Sequence, residues 1–332
     1  MKLFTWFYPQ MSRLGEEEYV SDVLSRLQRL RASGLYLMGE EGPMLAEPGP
    51  TAEFLRRAQE AGLEVHLGLV PFSEPPEPTP EMRRRRYTYQ EDGRLKRHGL
   101  CPAWHENRLL ALYRGQRLCE TVSPPALHLD YIRYYFANSK AFGVNLEWED
   151  GCKWIDTYHR CQCPLCQSDR LELLGREHTV WDEQHPAYIF KILERRREHV
   201  DEVLRGLRDL CQQRGMKLSV AARVQYFNRA LIEGQDWPRW CQTGLVDVIS
   251  PMNYSTSLEV VSRRFQENRR LLEHMPVEVL EGLGRRSSAG ENRPEDLAEQ
   301  VKTVVEMGAD GVAIFHLDTL TARDYELLAE LS

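Results

Sequence analysis

Short apolar runs recur along this chain, and each is followed by a longer stretch whose apolar positions return every three or four residues. The first pattern is that of a strand buried on both faces, the second that of an amphipathic helix. The runs are Leu3 to Phe7, Leu35 to Met38, Val65 to Val70, Ala126 to Asp130, Lys217 to Ala222, Val246 to Ser250, Val277 to Glu281 and Gly311 to Phe315. Helical periodicity fills Glu16 to Arg31, Ala52 to Ala61, Arg108 to Cys119, Ala187 to Arg214, Leu258 to Glu273 and Pro294 to Met307, the last with proline in its first turn. Glycines in Ala32-Ser33-Gly34, Glu60-Ala61-Gly62 and Met307-Gly308-Ala309-Asp310-Gly311 are expected to end helices in the left-handed region. Eight strand-helix units with right-handed crossovers predict a (β/α)8 TIM barrel. At 332 residues, the chain suits one catalytic barrel over 1–332, about 250 residues plus insertions. Two stretches break the rhythm, 71–100 and 136–185, and both follow strand ends, the third and the fourth. They are expected as long loop insertions that wall a cleft on the face where barrels hold their active sites.

Charge and cysteine usage narrow the partners. With 43 Lys and Arg against 50 Asp and Glu, the formal net charge is -7. Nucleic-acid affinity comes mainly from cations neutralising phosphates, so a nucleic-acid partner is disfavoured. Arg83 to Arg86 form the longest unbroken basic run, read as a solvated face or a contact to an acidic substrate group. No run approaches the ~18 apolar residues of a membrane span, and Met1 to Pro9 lacks the apolar core and cleavage site of a signal peptide. A soluble, cytoplasmic chain is expected, with a processed secreted form as the alternative. The eight cysteines are too unevenly spaced for a disulfide scaffold, which favours a reducing compartment.

Candidate chemistry gathers at strand ends. Asp130 ends strand four and Glu281 ends strand seven, positions expected to face each other across the barrel mouth. Glycosidases of this architecture often divide acid and nucleophile between those two strands. Cleavage needs a protonated carboxyl at the leaving oxygen and an ionised one on the other face of the ring. The plainer readings are a structural partner of Arg133 for Asp130 and a rim carboxylate for Glu281. Glu147, Trp148, Glu149 and Asp150 place a sugar platform among carboxylates, or simply a packed surface loop. Trp6, Arg223, Asn253, Tyr254 and His316 complete an inward-facing set suited to sugar hydroxyls and ring faces. His128 lies deeper, where a satisfied core histidine is expected.

Cys161, Cys163 and Cys166 can converge on one tetrahedral ion, with Cys101, Cys152 or His159 as the fourth ligand. A structural zinc is expected, with reduced thiols as the alternative. Gly282 to Gly290, after strand seven, carries two arginines among glycines and serines. It supports a rival phosphosugar lyase or isomerase reading.

The run Leu127 to Tyr134 resembles the "hLDYIRY" strand end of the glycosyl-hydrolase-like 10 group and related bacterial glycosidases, with Asp130, Tyr131 and Arg133 matching it. Val246 to Tyr254 is similar to that group's "vDvIsPMnY" strand, and Cys101 to Arg108 to its "cPsnpenR" segment, in the same order. The resemblance implies a barrel that hydrolyses an oligosaccharide or polysaccharide, among them an amino-sugar polymer of the cell envelope, with Tyr131 and Arg133 at the substrate. The segment Asp150 to Cys166 resembles the zinc-binding loop of family 42 β-galactosidases, which implies Cys101 as the fourth ligand. The expectation is therefore a two-carboxylate glycoside hydrolase with a carbohydrate substrate and no organic cofactor. A carbohydrate-binding barrel without chemistry is the other alternative.

Overall fold

All eight apolar runs form strands, and they close on one another because each is covered on one face by the lumen and on the other by helices. The computed structural model describes residues 1–91, 94–135, 161–183 and 185–331. Barrel strands one to eight are Lys2–Phe7, Gly34–Leu37, Glu64–Leu69, Ala126–Leu129, Lys217–Ala222, Val248–Pro251, Glu278–Gly284 and Gly311–Phe315. Every neighbouring pair is parallel, and strand one pairs with strand eight from Lys2 against Gly311 to Thr5 against Ile314, which shuts the barrel.

Alternation sorts the side chains. Leu3, Phe7, Leu35, Leu37, Leu127, Leu129 and Val220 face outward into the large core under the helices, while Phe4, Trp6, Tyr36, Ala221, Leu280 and Ala313 fill the lumen. Inward positions of alternate strands share a level, as barrel packing requires. Trp6 shares its level with Gly68, Ala221 and Gly282, three small residues that leave room for an indole. A Cβ on Gly282 would lie 3.2 Å from the Trp6 ring and 2.8 Å from the Pro251 carbonyl. Below it, Tyr36 stacks on His128 at 3.8 Å and bonds the Ser250 hydroxyl at 2.6 Å. Above it, the uppermost level holds Met38, Asp130, Met252 and Phe315, so an acid stands where the lumen opens.

The helices follow the amphipathic stripes. Glu17–Arg29 buries Val20, Val23 and Leu27, and Pro186–Gln213 runs the full height of the barrel with Leu193, Val200, Leu204, Leu207 and Cys211 inward. Gly62 and Gly308 take positive φ, 82° and 94°, as the caps require. Gly34 does not. There Arg31 takes the left-handed turn at φ 51°. Gly34 opens strand two where a Cβ would lie 2.3 Å from the Glu64 carbonyl, so glycine serves close packing instead. The stretch after strand three forms a short helix, Pro80–Arg84, and an antiparallel hairpin of Arg86–Glu91 with Arg94–Leu100. Within the basic run Arg83 and Arg84 are exposed, but Arg85 is buried and Arg86 pairs with Glu74. Among the described residues no helix is long and apolar enough to cross a membrane.

Candidate active site

Strand four delivers Asp130. Its backbone N–H still bonds Leu69 of strand three at 3.0 Å. Tyr131 then turns the chain at φ 53° and returns its N–H to Asp130 Oδ1 at 2.7 Å. Asp130 is 6% exposed. Burial raises its pKa, opposed by the positive charge of Arg133, by the Tyr131 N–H and by Arg223. The net direction is upward, towards a carboxyl that keeps its proton.

Around this acid the walls are aromatic. Tyr254 meets Phe315 at 5.2 Å and Trp6 at 6.4 Å, and Tyr8 meets Phe315 at 6.0 Å and His316 at 5.5 Å. Burial first, and the nearby Asp130 charge second, push the phenols of Tyr8 and Tyr254 upward. Both phenols therefore stay protonated as donors. On the other side the Arg133 guanidinium lies 4.3 Å over the Tyr131 ring, and Tyr131 stacks on Tyr135 at 5.6 Å. Arg133 Nη1 donates to Glu233 Oε2 at 2.7 Å, and Arg223 Nη2 donates to Glu233 Oε1 at 3.3 Å. One buried carboxylate thus holds two guanidinia beside Asp130.

Two expected members of the site are turned away. On strand seven Leu280 and Gly282 face the lumen, so Glu281 between them faces outward. Its Oε1 accepts from Asn253 Nδ2 at 2.8 Å and from Asn268 Nδ2, on the outer helix Leu258–Leu272, at 3.5 Å. Asn253 Nδ2 also donates to the Val261 carbonyl of that helix at 2.8 Å. The facing of Glu281 and Asp130 across the mouth is therefore corrected, as is Asn253 as a substrate contact. The reason is the period of two, because a residue that ends an apolar run points outward or inward by register alone. Fully buried and with Oε2 unbonded, Glu281 has its pKa pushed up by burial to about 8, which the two amide bonds only partly oppose.

His128 lies in the core as expected, with Nδ1 on the Ser219 hydroxyl at 2.8 Å and burial holding it neutral, but its Nε2 finds no hydrogen-bond partner among the described residues, so it is satisfied at one nitrogen only. In the loop after strand seven, Arg285 is buried and spends its donors on Asp324 at 2.9 Å, Glu291 at 3.0 Å and the Asn292 carbonyl at 2.5 Å. It fastens the loop to the C-terminal helix, and the phosphate reading loses its buried clamp. Glu147, Trp148, Glu149, Asp150, Cys152 and His159 lie outside the described residues.

The cysteines do converge. The sulfurs of Cys101, Cys161, Cys163 and Cys166 all lie within 4.8 Å of one another, so the cluster could hold a metal ion. Cys101 is 3.6 Å from Cys166 and 3.7 Å from Cys161, and a tetrahedron with zinc–sulfur bonds of ~2.3 Å has edges of about 3.8 Å. Trp104 Nε1 donates to Cys163 Sγ at 3.3 Å, a donor that suits a thiolate. Contact with the other three thiols drives the Cys163 pKa down. Cys101 follows the hairpin after strand three and the other three belong to the insertion after strand four. A backbone bond from Gln162 to Thr88 at 2.5 Å joins the same two segments.

No protein-family model matches the chain, and no curated protein does. Solved structures do match it. The glycoside hydrolase domain of PgaB (BpsB) from Bordetella bronchiseptica is 12% identical, with 99% of this chain and 98% of that one covered and a TM-score of 0.68. A β-galactosidase from the psychrophilic Marinomonas ef1 is 14% identical over 100% of this chain, with a TM-score of 0.67, and the chain spans 59% of that enzyme. The Group IV chitinase of Ostrinia furnacalis is 11% identical with 99% of each chain covered and a TM-score of 0.53. At such identities the likeness establishes a shared barrel.

Glu233, Gln235 and Tyr8 belong to this mouth without having been picked from the sequence. Glu233 sits in an irregular segment after strand five. Gln235 takes the Arg223 N–H at 2.9 Å and reaches the Ala221 carbonyl at 3.3 Å. Tyr8 offered a signal that could have been used, being the next inward position after Trp6.

Proposed function

We propose that this protein is a glycoside hydrolase in which Asp130 is the general acid. The observation that carries the reading is a buried carboxyl at the uppermost level of the barrel, flanked by aromatic rings and phenolic donors, with burial shifting its pKa upward. A pyranose presents an apolar face and a rim of hydroxyls, and such a mixed wall receives both. With a sugar against Tyr254, Phe315 and Tyr8, Asp130 donates its proton to the glycosidic oxygen as the bond to the anomeric carbon breaks. Arg133 and Arg223, held by Glu233, steady the electrostatics around the acid as it becomes a carboxylate.

The second carboxylate is assigned to Glu147 or Glu149. Glu281 has its carboxyl on the outer face, bonded to Asn253 and Asn268. The resemblance of the Asp130 and Asn253 segments to bacterial glycosidases supports an oligosaccharide or polysaccharide substrate, with amino-sugar polymers of the cell envelope as the first class to try. The fold likeness to a glycoside hydrolase domain and a chitinase supports the same choice. Cys101, Cys161, Cys163 and Cys166 would hold a zinc ion whose part is structural, because four thiolates leave no open position.

A reducing-sugar release screen over soluble glycans and cell-envelope polysaccharides, run beside Asp130→Asn, tests the reading. Release by the native protein and its loss in the variant are expected. Binding of a glycan with no release by the native protein would leave a carbohydrate-binding barrel instead.

A further inference from the structure

Beside the mouth, between the loop after strand one and the loop after strand eight, lies a second cleft of about 600 Å³. It is lined by Tyr8 after strand one, by Glu18, Tyr19 and Asp22 of the first helix and by Asp318 after strand eight. Tyr8 is 39% exposed, stands in the field of Asp130, and touches His316, whose Nδ1 is 3.8 Å from Asp318. A chain leaving the acid over Tyr8 therefore enters this cleft directly.

The walls are set before any ligand arrives. Arg26 is bonded to the Tyr325 hydroxyl at 3.0 Å, the Leu317 carbonyl at 2.9 Å and Asp318 at 3.2 Å. Arg13 pairs with Glu16 at 2.9 Å and covers the Tyr19 ring at 4.6 Å. Tyr19 accepts the Gln10 N–H at 3.0 Å, which leaves its hydroxyl proton to donate. With the arginines committed, the cleft offers the Tyr8 ring, the part of the half-buried Tyr19 ring that Arg13 leaves open, and the carboxylates of Glu18, Asp22 and Asp318, the last two already paired with Arg26. That is a surface of ring platforms and acceptors, suited to a chain of hydroxyl-bearing rings.

We propose that the cleft from Tyr8 to Tyr19 binds the part of a glycan chain that continues beyond the bond at Asp130, so that the substrate is an oligosaccharide rather than a disaccharide. Pockets of about 300 to 1,000 Å³ bury a drug-sized ligand, which here is two or three linked sugars. Ring contact at Tyr8 carries the chain out of the mouth, and Tyr19 with the acceptors of Glu18 and Asp318 receives the next residues. The assignment rests on the glycosidase reading and adds the side on which the chain extends and its minimum length.

The probes are chito-oligosaccharides and β-galacto-oligosaccharides graded from disaccharide to octasaccharide. Turnover is measured with the native protein and binding with Asp130→Asn. The expected result is that kcat/KM rises by about tenfold or more, about 1.4 kcal/mol, between disaccharide and tetrasaccharide, mainly through KM. Tyr19→Ala should remove that gain while leaving the disaccharide unchanged. Glu18→Ala, an exposed substitution that does not threaten the fold, should remove part of it, and Tyr19→Phe should keep most of it. Turnover that is independent of length, or a length gain intact in both Tyr19→Ala and Glu18→Ala, overturns the cleft assignment and leaves the hydrolase reading standing. Neither binding nor cleavage at any length overturns both.

Discussion

Glu281→Gln separates the two roles this residue could have. In the folded protein burial holds the Glu281 carboxyl at about 8 against an ordinary 4.5. Below about pH 4.5 it is protonated folded and unfolded alike, and its contribution to stability is complete. As pH rises from there the unfolded chain releases the proton and the folded one keeps it, so stability falls until about pH 8 and then levels. At ~1.36 kcal/mol per pH unit the interval from 4.5 to about 8 is worth at most about 5 kcal/mol. Relaxation around the charged form reduces this, and we expect at least about 2 kcal/mol. Glutamine has the same shape and no proton to lose, and its carbonyl can still accept from Asn253. Near pH 5 the variant should therefore lie within about 1 kcal/mol of the native protein, and near pH 9 it should be the more stable. Guanidinium unfolding of both proteins across that range measures the difference, and taking the difference cancels the buried His66 and His128. Those are held neutral by burial and titrate with the opposite sign, costing stability as pH falls below about 6.5. Parallel curves for the two proteins would refute the placement of Glu281 in a dry outer layer. Turnover supplies the second arm, expected within about threefold of native, because a carboxyl on the outer face does not meet substrate. A loss of several orders of magnitude would return Glu281 to the chemistry.

Asp130→Asn should lower turnover by about 10² to 10⁴, the usual worth of a positioned general acid, with thermal stability near native. In the native protein the same acid should make activity fall as pH rises through a value above the ordinary aspartate range, since the proton must be present to be given. Full activity in the variant removes Asp130 from the mechanism. Protein made with zinc available should carry about one equivalent of metal per chain, and chelation or Cys163→Ser should lower the melting temperature by several degrees. Metal-free protein whose four thiols titrate freely in the native state refutes that site. Gly282→Ala should destabilise by about 1 to 3 kcal/mol, because its Cβ would press on the Pro251 carbonyl at 2.8 Å and on Trp6 at 3.2 Å. Native stability there would contradict the packing of the lumen.

The barrel was legible in the chain because its signals are local. An apolar run buried on both faces and an amphipathic stripe are each visible in a short window, and their repetition leaves a closed parallel sheet as the economical way to cover every strand. Asp130 was legible for the same reason, standing one residue past a strand and on the inward parity set by His128. The cysteine triplet was too, because a knuckle keeps its ligands within a few residues of each other. Parity also carried the information that misplaced Glu281. Counting back from the end of its run suggested the mouth, whereas the strand continues to Gly284 and the inward places fall to Leu280 and Gly282. The sequence alone cannot say where such a strand stops, since glycine and leucine serve equally in a strand or after one. The remainder depended on separations of many residues along the chain. Cys101 joins a cluster sixty residues away, Glu233 reaches back one hundred residues to Arg133, and Tyr8 meets His316 only because strand one closes on strand eight. Those contacts exist only after the barrel has shut, because closure brings opposite ends of the chain together at one rim, and no local pattern records which side chains will meet there.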